Sequence, residues 1–102
     1  MGLFSFLFGK KSNQIKEYLE KDAVILDVRT QKEYDADHIE GAFLIPISEL
    51  KSRLKEVKDL NKPVIAHCRS GIRSAQASQI LNSNGIDAIN GGGISTMKTA
   101  LK

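Results

Sequence analysis

The segment with the most chemical content in this chain is Cys68-Arg69-Ser70-Gly71-Ile72-Arg73-Ser74. Gly71 frees the backbone to curl, so that successive N–H groups can converge as an anion-binding nest. A helix expected to start at Ser74 adds the positive end of its dipole at the same place. Arg69 and Arg73 bring two permanent cations. A free thiol with a pKa of about 8.5 is barely ionised at neutral pH, and such surroundings lower that value. The residues therefore point to a nucleophilic Cys68 in an anion cradle. The plainer alternative is a buried structural cysteine, which would gain nothing from two arginines within five positions of it.

The elements that must position this loop follow from hydrophobic spacing. Val24–Val28 and Val64–His67 are short continuous apolar runs, as in strands buried on both faces of a parallel sheet. Ala42–Ile45 reads as a brief strand ended by Pro46, and Ile86–Ile89 as a last strand before Gly91–Gly93 turn the chain. Between them lie helical patterns. Ser12 is placed to cap a helix with Ile15, Tyr18 and Leu19 on one face. Thr30 and Glu33 form a capping-box pair for a helix over 31–36. Ser48 is expected to cap a helix with Leu50, Leu54 and Val57 inward. Ser74–Asn84 reads as helix with Gly85 as its left-handed stop, and a final helix starts near Ile94. Strand and helix alternate, so the expected architecture is α/β, a mostly parallel central sheet flanked by helices on both faces. Ligands in such sheets bind beyond the carboxyl ends of the strands, where Cys68 stands.

Composition sets the outer bounds. With 102 residues, 41% hydrophobic and 26% charged, the chain is long enough for one domain and too short for two. An apolar tail over 1–11 precedes a domain over 12–102. The net charge of +3 is an end effect. Four of the 15 basic residues, Lys10, Lys11, Lys98 and Lys102, lie at the ends, so 12–97 holds 11 bases against 12 acids, a net of −1. No basic and aromatic platform for nucleic acid is present. No apolar run spans a bilayer, and Leu3–Phe8 lacks the flanks of a secretory signal. That stretch is expected to pack on the domain or a neighbouring subunit; a short interfacial membrane anchor is the sharper alternative. The single cysteine excludes an internal disulfide and fits a reducing, cytoplasmic setting. One cysteine and two histidines make no recognised zinc pattern, and no cofactor is implied.

Taken together, Leu26-Asp27-Val28-Arg29, His38-Ile39-Glu40-Gly41-Ala42, Ile45-Pro46, the loop Cys68–Arg73 and Gly92-Gly93-Ile94 resemble, in order and spacing, a single-domain rhodanese, a sulfurtransferase family, from about Ser12 to Met97. The resemblance implies double displacement. Cys68 takes the sulfane sulfur of an anionic donor such as thiosulfate, and a small thiol, a protein thiol or cyanide then removes it. Amides over Arg69–Arg73, through Ser70, Gly71 and Ile72, would hold the persulfide. Arg69 and Arg73 would draw in the donor, and Ser70 and Ser74 would donate hydrogen bonds at the rim. Two loop cations suit thiosulfate better than a donor bound mainly through a carbonyl group.

Asp27, at the end of a strand, is expected to serve structure more than base catalysis. Arg29 is expected to pair locally with Glu33, His38 to tie a loop near the site, and His67 to be a core histidine. Two residues depart from the family pattern: Asp37 where glycine is usual, and Met97 where tryptophan is common. Related cysteine phosphatases carry one more loop residue than the four between Cys68 and Arg73, and arsenate reduction usually needs a resolving thiol where this chain has a single cysteine. The shorter ring suits one sulfur better than a tetrahedral phosphate. A persulfide carrier without independent turnover, or a binding module, remains the alternative to an enzyme; a module would be expected to lose the cysteine or the loop arginine.

Overall fold

The computed structural model describes residues 3–102, with side chains from Gly9 onward. Four strands form one parallel sheet in the order β2-β1-β3-β4: β1 Val24–Asp27, β2 Phe43–Leu44, β3 Val64–Cys68 and β4 Ala88–Gly93. Six α-helices accompany it: α1 Leu3–Glu20, α2 Gln31–Ala36, α3 Ile47–Leu50, α4 Leu54–Leu60, α5 Ile72–Ser83 and α6 Ile94–Ala100. A 3-10 turn over Lys51–Arg53 joins α3 to α4.

The two faces of the sheet bury separate apolar layers. Leu26, Val28, Val64, Ala66 and Cys68 pack with Leu50, Val57, Ala77 and Leu81 from α3, α4 and α5. Ile65 and Ile89 pack with Ile15 of α1 and with Met97 and Ala100 of α6. All five β3 residues are buried, which explains why its sequence runs apolar without alternation. Helix α2 buries none of its residues; it stands at the carboxyl edge of the sheet. The order β2-β1-β3-β4 sets the loop after β1 beside the loop after β3.

Several boundaries differ from the sequence expectation. Helix α1 starts at Leu3, so Ser12 lies inside it and caps nothing; Gly9 costs a helix interior about 1 kcal/mol, too little to break it. Lys11 donates to the Asn90 carbonyl at 2.6 Å, tying α1 to β4, and so points inward. The expected contacts of Leu3–Phe8, including the interfacial anchor, fall on side chains outside the described ones. Helix α3 is entered from Pro46, not capped by Ser48; the fixed φ of proline readies the chain for a helix. Strand β4 takes in Gly91–Gly93, expected as a turn, because the backbones of Gly92 and Gly93 pair with His67 and Cys68. Among the described residues no helix is long and apolar enough to cross a membrane.

Candidate active site

Cys68 ends β3 and is fully buried. The next turn is made by Gly71 at φ +100, in the left-handed region that side chains disfavour. Helix α5 begins immediately after it, two residues earlier than expected, with no side-chain cap. The orphan amides of that first turn therefore need another acceptor, and the Cys68 sulfur provides one. The Gly71 N–H donates to Sγ at 3.0 Å and the Ser74 N–H at 3.4 Å. The Ser74 hydroxyl lies 3.3 Å from Sγ. Burial by itself pushes the thiol up. The Ser74 hydroxyl and the amides of Ser74, Gly71 and Ser70 more than offset it, holding Cys68 below the ordinary thiol range.

Ser74 is thus fully buried beneath the sulfur, not at the rim as expected from sequence. Nothing in the sequence marks its neighbour Asn90. Asn90 Oδ1 accepts from the Ser74 hydroxyl at 2.7 Å and from the Gly92 N–H at 2.8 Å, while Nδ2 donates to the Gly71 carbonyl at 3.0 Å. One amide side chain ties the loop, the helix start and β4 together. The signal for it is tertiary. Ala66 pairs with Asn90 but His67 with Gly92, so Gly91 is an extra, bulged residue, and bulges re-aim neighbouring side chains.

Gly93 lets the loop lie flat on β4. A Cβ there would sit 2.5 Å from the Arg69 carbonyl oxygen, a backbone atom that cannot yield alone. Gly93→Ala is expected to push the loop off Sγ, costing about 1–3 kcal/mol of stability. The rate of Cys68 alkylation at neutral pH should fall about tenfold as the donors retreat. Thermal melts and timed iodoacetamide labelling measure both; an unchanged labelling rate would show that loop and sulfur are not coupled.

The charged residues pair differently from the local expectation. Arg29 grips Asp27, not Glu33: Nε donates at 2.9 Å to Oδ1 and Nη2 at 2.7 Å to Oδ2. The Arg29 backbone N–H also reaches Asp27 Oδ1 at 3.0 Å. Both side chains are buried, and Arg29 continues to the Asp37 carbonyl at 2.7 Å. Glu33 instead pairs with Arg73 in a bidentate fork of 2.7 and 3.1 Å. It remains the capping-box partner of Thr30, and the Arg73 guanidinium and the Thr30 amide hold its carboxyl down to about 2. Arg73 is therefore a compensated cation. Arg69 and Ser70 are exposed on the loop, and Ile72 is 71% exposed beside them.

His38 stacks on Tyr34 with ring centroids 3.9 Å apart, and its Nδ1 lies 2.9 Å from the Tyr34 carbonyl. Tyr34 in turn donates to the Ala42 carbonyl at 3.0 Å, fastening α2 to the loop before β2. His67 is fully buried with its Nε2 unpartnered, 3.8 Å from Asp27. Burial pushes its pKa down, so that contact is not an ion pair at neutral pH. Among the described residues no cluster of three or more His, Cys, Asp or Glu could hold a metal ion.

A parallel α/β domain with one thiolate-stabilising loop at the carboxyl edge of its sheet is the class that fold and site define. The rhodanese-like domain profile matches residues 11–97, and the chain belongs to the rhodanese family. It is 38% identical over 71 residues to "Thiosulfate sulfurtransferase PspE" of Escherichia coli, covering 68% of this chain and 68% of that protein. It is 41% identical over 69 residues to "Uncharacterized protein YqhL" of Bacillus subtilis, and there spans 54% of the relative's length against 68% of its own. Among solved structures, a rhodanese with anions from E. coli superposes with a TM-score of 0.66 at 36% identity, covering 72% of this chain and 89% of that one. A rhodanese-like domain protein from Staphylococcus aureus gives 0.70 at 33% identity, covering 83% and 85%.

Proposed function

We propose that this protein is a sulfurtransferase that carries sulfane sulfur as a Cys68 persulfide. The observation that carries the reading is the convergence of the Gly71 and Ser74 amides on Sγ, at 3.0 and 3.4 Å. The thiolate attacks the outer sulfur of a donor. The donor's S–S bond breaks, and its electron pair leaves on sulfite from thiosulfate, or on a thiolate from an organic persulfide. The Cys68 persulfide then carries the negative charge one atom further out, towards the unpaired amides of the first turn of α5. An acceptor thiolate attacks that outer sulfur and expels Cys68, a better leaving group than an ordinary thiol because the loop holds its pKa down.

Asp27, Arg29 and His38 act through position: the Asp27–Arg29 pair ties the end of β1 to the end of α2, and His38 packs on Tyr34, which fastens α2 to the loop before β2. Phosphoryl transfer is disfavoured, because only four residues separate Cys68 from Arg73, one fewer than in the related cysteine phosphatases, a ring better suited to one sulfur than to a tetrahedral phosphate. Donors are small sulfur anions, and acceptors are small or protein thiols. A reducing compartment such as the cytoplasm would keep the single thiol available.

The test is to incubate the protein with thiosulfate or an alkyl persulfide, remove the donor, and weigh the intact protein. The expected result is one added sulfur atom, discharged as thiocyanate by cyanide. No added sulfur from either donor, with the thiol shown to be free, would overturn the reading.

A further inference from the structure

We propose that Glu33 sets the charge of the preferred donor: by cancelling Arg73 it turns the loop away from dianions such as thiosulfate and towards singly charged sulfane donors. This rests on Cys68 being the sulfur acceptor.

Three cations at the carboxyl edge of the sheet are already committed to acids. Arg29 is held by Asp27 and the Asp37 carbonyl. Lys98 is paired with Asp37. Arg73 is held by Glu33. Of these cations and Arg69, Arg69 alone has no acid within bridging distance among the described residues. Glu33 cannot swing away cheaply, because Thr30 fixes the same carboxylate independently, through its N–H at 3.0 Å and its hydroxyl at 3.2 Å. Once Cys68 is a thiolate, the two loop arginines are balanced by Glu33 and the sulfur itself, so the mouth carries no net formal charge. A donor's second negative charge then meets no matching cation, whereas a singly charged donor is served by Arg69.

Two donors isolate this effect because their chemistry is the same. Thiosulfate is a dianion and methanethiosulfonate a monoanion. In each, the Cys68 thiolate attacks the outer sulfur, one S–S bond breaks, and sulfite or methanesulfinate leaves with the electron pair. Glu33→Gln removes the charge but keeps a capping-box acceptor, so α2 retains its start. Loading rates are read by intact mass at fixed pH. The rate with thiosulfate should rise about fivefold in Glu33→Gln, that with methanethiosulfonate only about twofold, and the thiosulfate rate should become more sensitive to added salt. Glu33→Asp keeps the charge and should stay near the wild-type ratio of the two rates.

Arg69→Gln provides an arm independent of α2, and should lower the thiosulfate rate more than the methanethiosulfonate rate. If both donors load the wild type but Glu33→Gln leaves their ratio unchanged, the inference is overturned and the sulfurtransferase reading stands. If Glu33→Gln does not fold, an unchanged ratio in Arg69→Gln overturns it equally. If neither donor loads Cys68 in the wild type, the parent reading is what fails, and the inference falls with it.

Discussion

Cys68→Ser is expected to reduce sulfur transfer by about a thousandfold or more, to the background of the uncatalysed reaction. A serine hydroxyl placed in the same cradle stays protonated at neutral pH, and an alkoxide is a poor partner for a sulfane sulfur. The cradle is built for a larger, more polarisable anion whose charge two amides already share. The same contacts make a second, independent statement. In the wild type, the alkylation rate of Cys68 plotted against pH should have its midpoint below that of an ordinary thiol, because the Ser74 hydroxyl and the loop amides outweigh burial. Steady-state assays with thiosulfate and cyanide check the first expectation, and timed labelling across pH checks the second. Residual turnover in Cys68→Ser above a few per cent would mean that sulfur passes through another group.

The largest loss of stability is expected from Asp27→Ala. The carboxylate is fully buried and takes four hydrogen bonds from Arg29, three from the guanidinium and one from the backbone. Removing it leaves a nearly buried guanidinium with only the Asp37 carbonyl as partner. Breaking one side of such a pair costs about 3–5 kcal/mol, a large share of the roughly 5–15 kcal/mol that holds a domain folded. The melting temperature should fall by more than about 10 °C. Replacing the charge as well, in Asp27→Ala/Arg29→Met, should recover much of the loss, because the penalty lies in the unpaired cation. Thermal unfolding of both variants measures this. A loss under about 1 kcal/mol in the single variant would show that water reaches Arg29 and that the pair is not a buried strut.

Much of this molecule can be read from short stretches of its sequence. The apolar runs at Val24–Val28 and Val64–His67 are strands for the reason their composition suggests: both faces of the sheet are covered. The Thr30 and Glu33 capping box forms as the spacing dictates. Gly85 stands at φ +79 just after α5, and Gly71 at φ +100 makes the turn that gathers amides around Cys68. These features are legible because each depends on residues within about one helical turn or one strand of each other.

The partners that decide the chemistry of the site are not local. Glu33 lies four residues from Arg29 but pairs with Arg73, 40 residues away. Arg29 turns back to Asp27 instead, because two residues along the chain the carboxylate already faces its backbone N–H. Asn90 gives no sign in sequence that it will join Ser74, Gly71 and Gly92, and the three glycines after Ile89 look like a turn until β3 pairs with them. The physical reason is the strand order. Placing β1 beside β3, and β3 beside β4, brings the start of α2, the Cys68 loop and the bulge at Gly91 to one edge. The sequence by itself determined Cys68, its loop and the alternating elements that carry them. The tertiary structure alone decided which cations are already paired with acids and what holds the sulfur from below, because those partners meet only through the strand order.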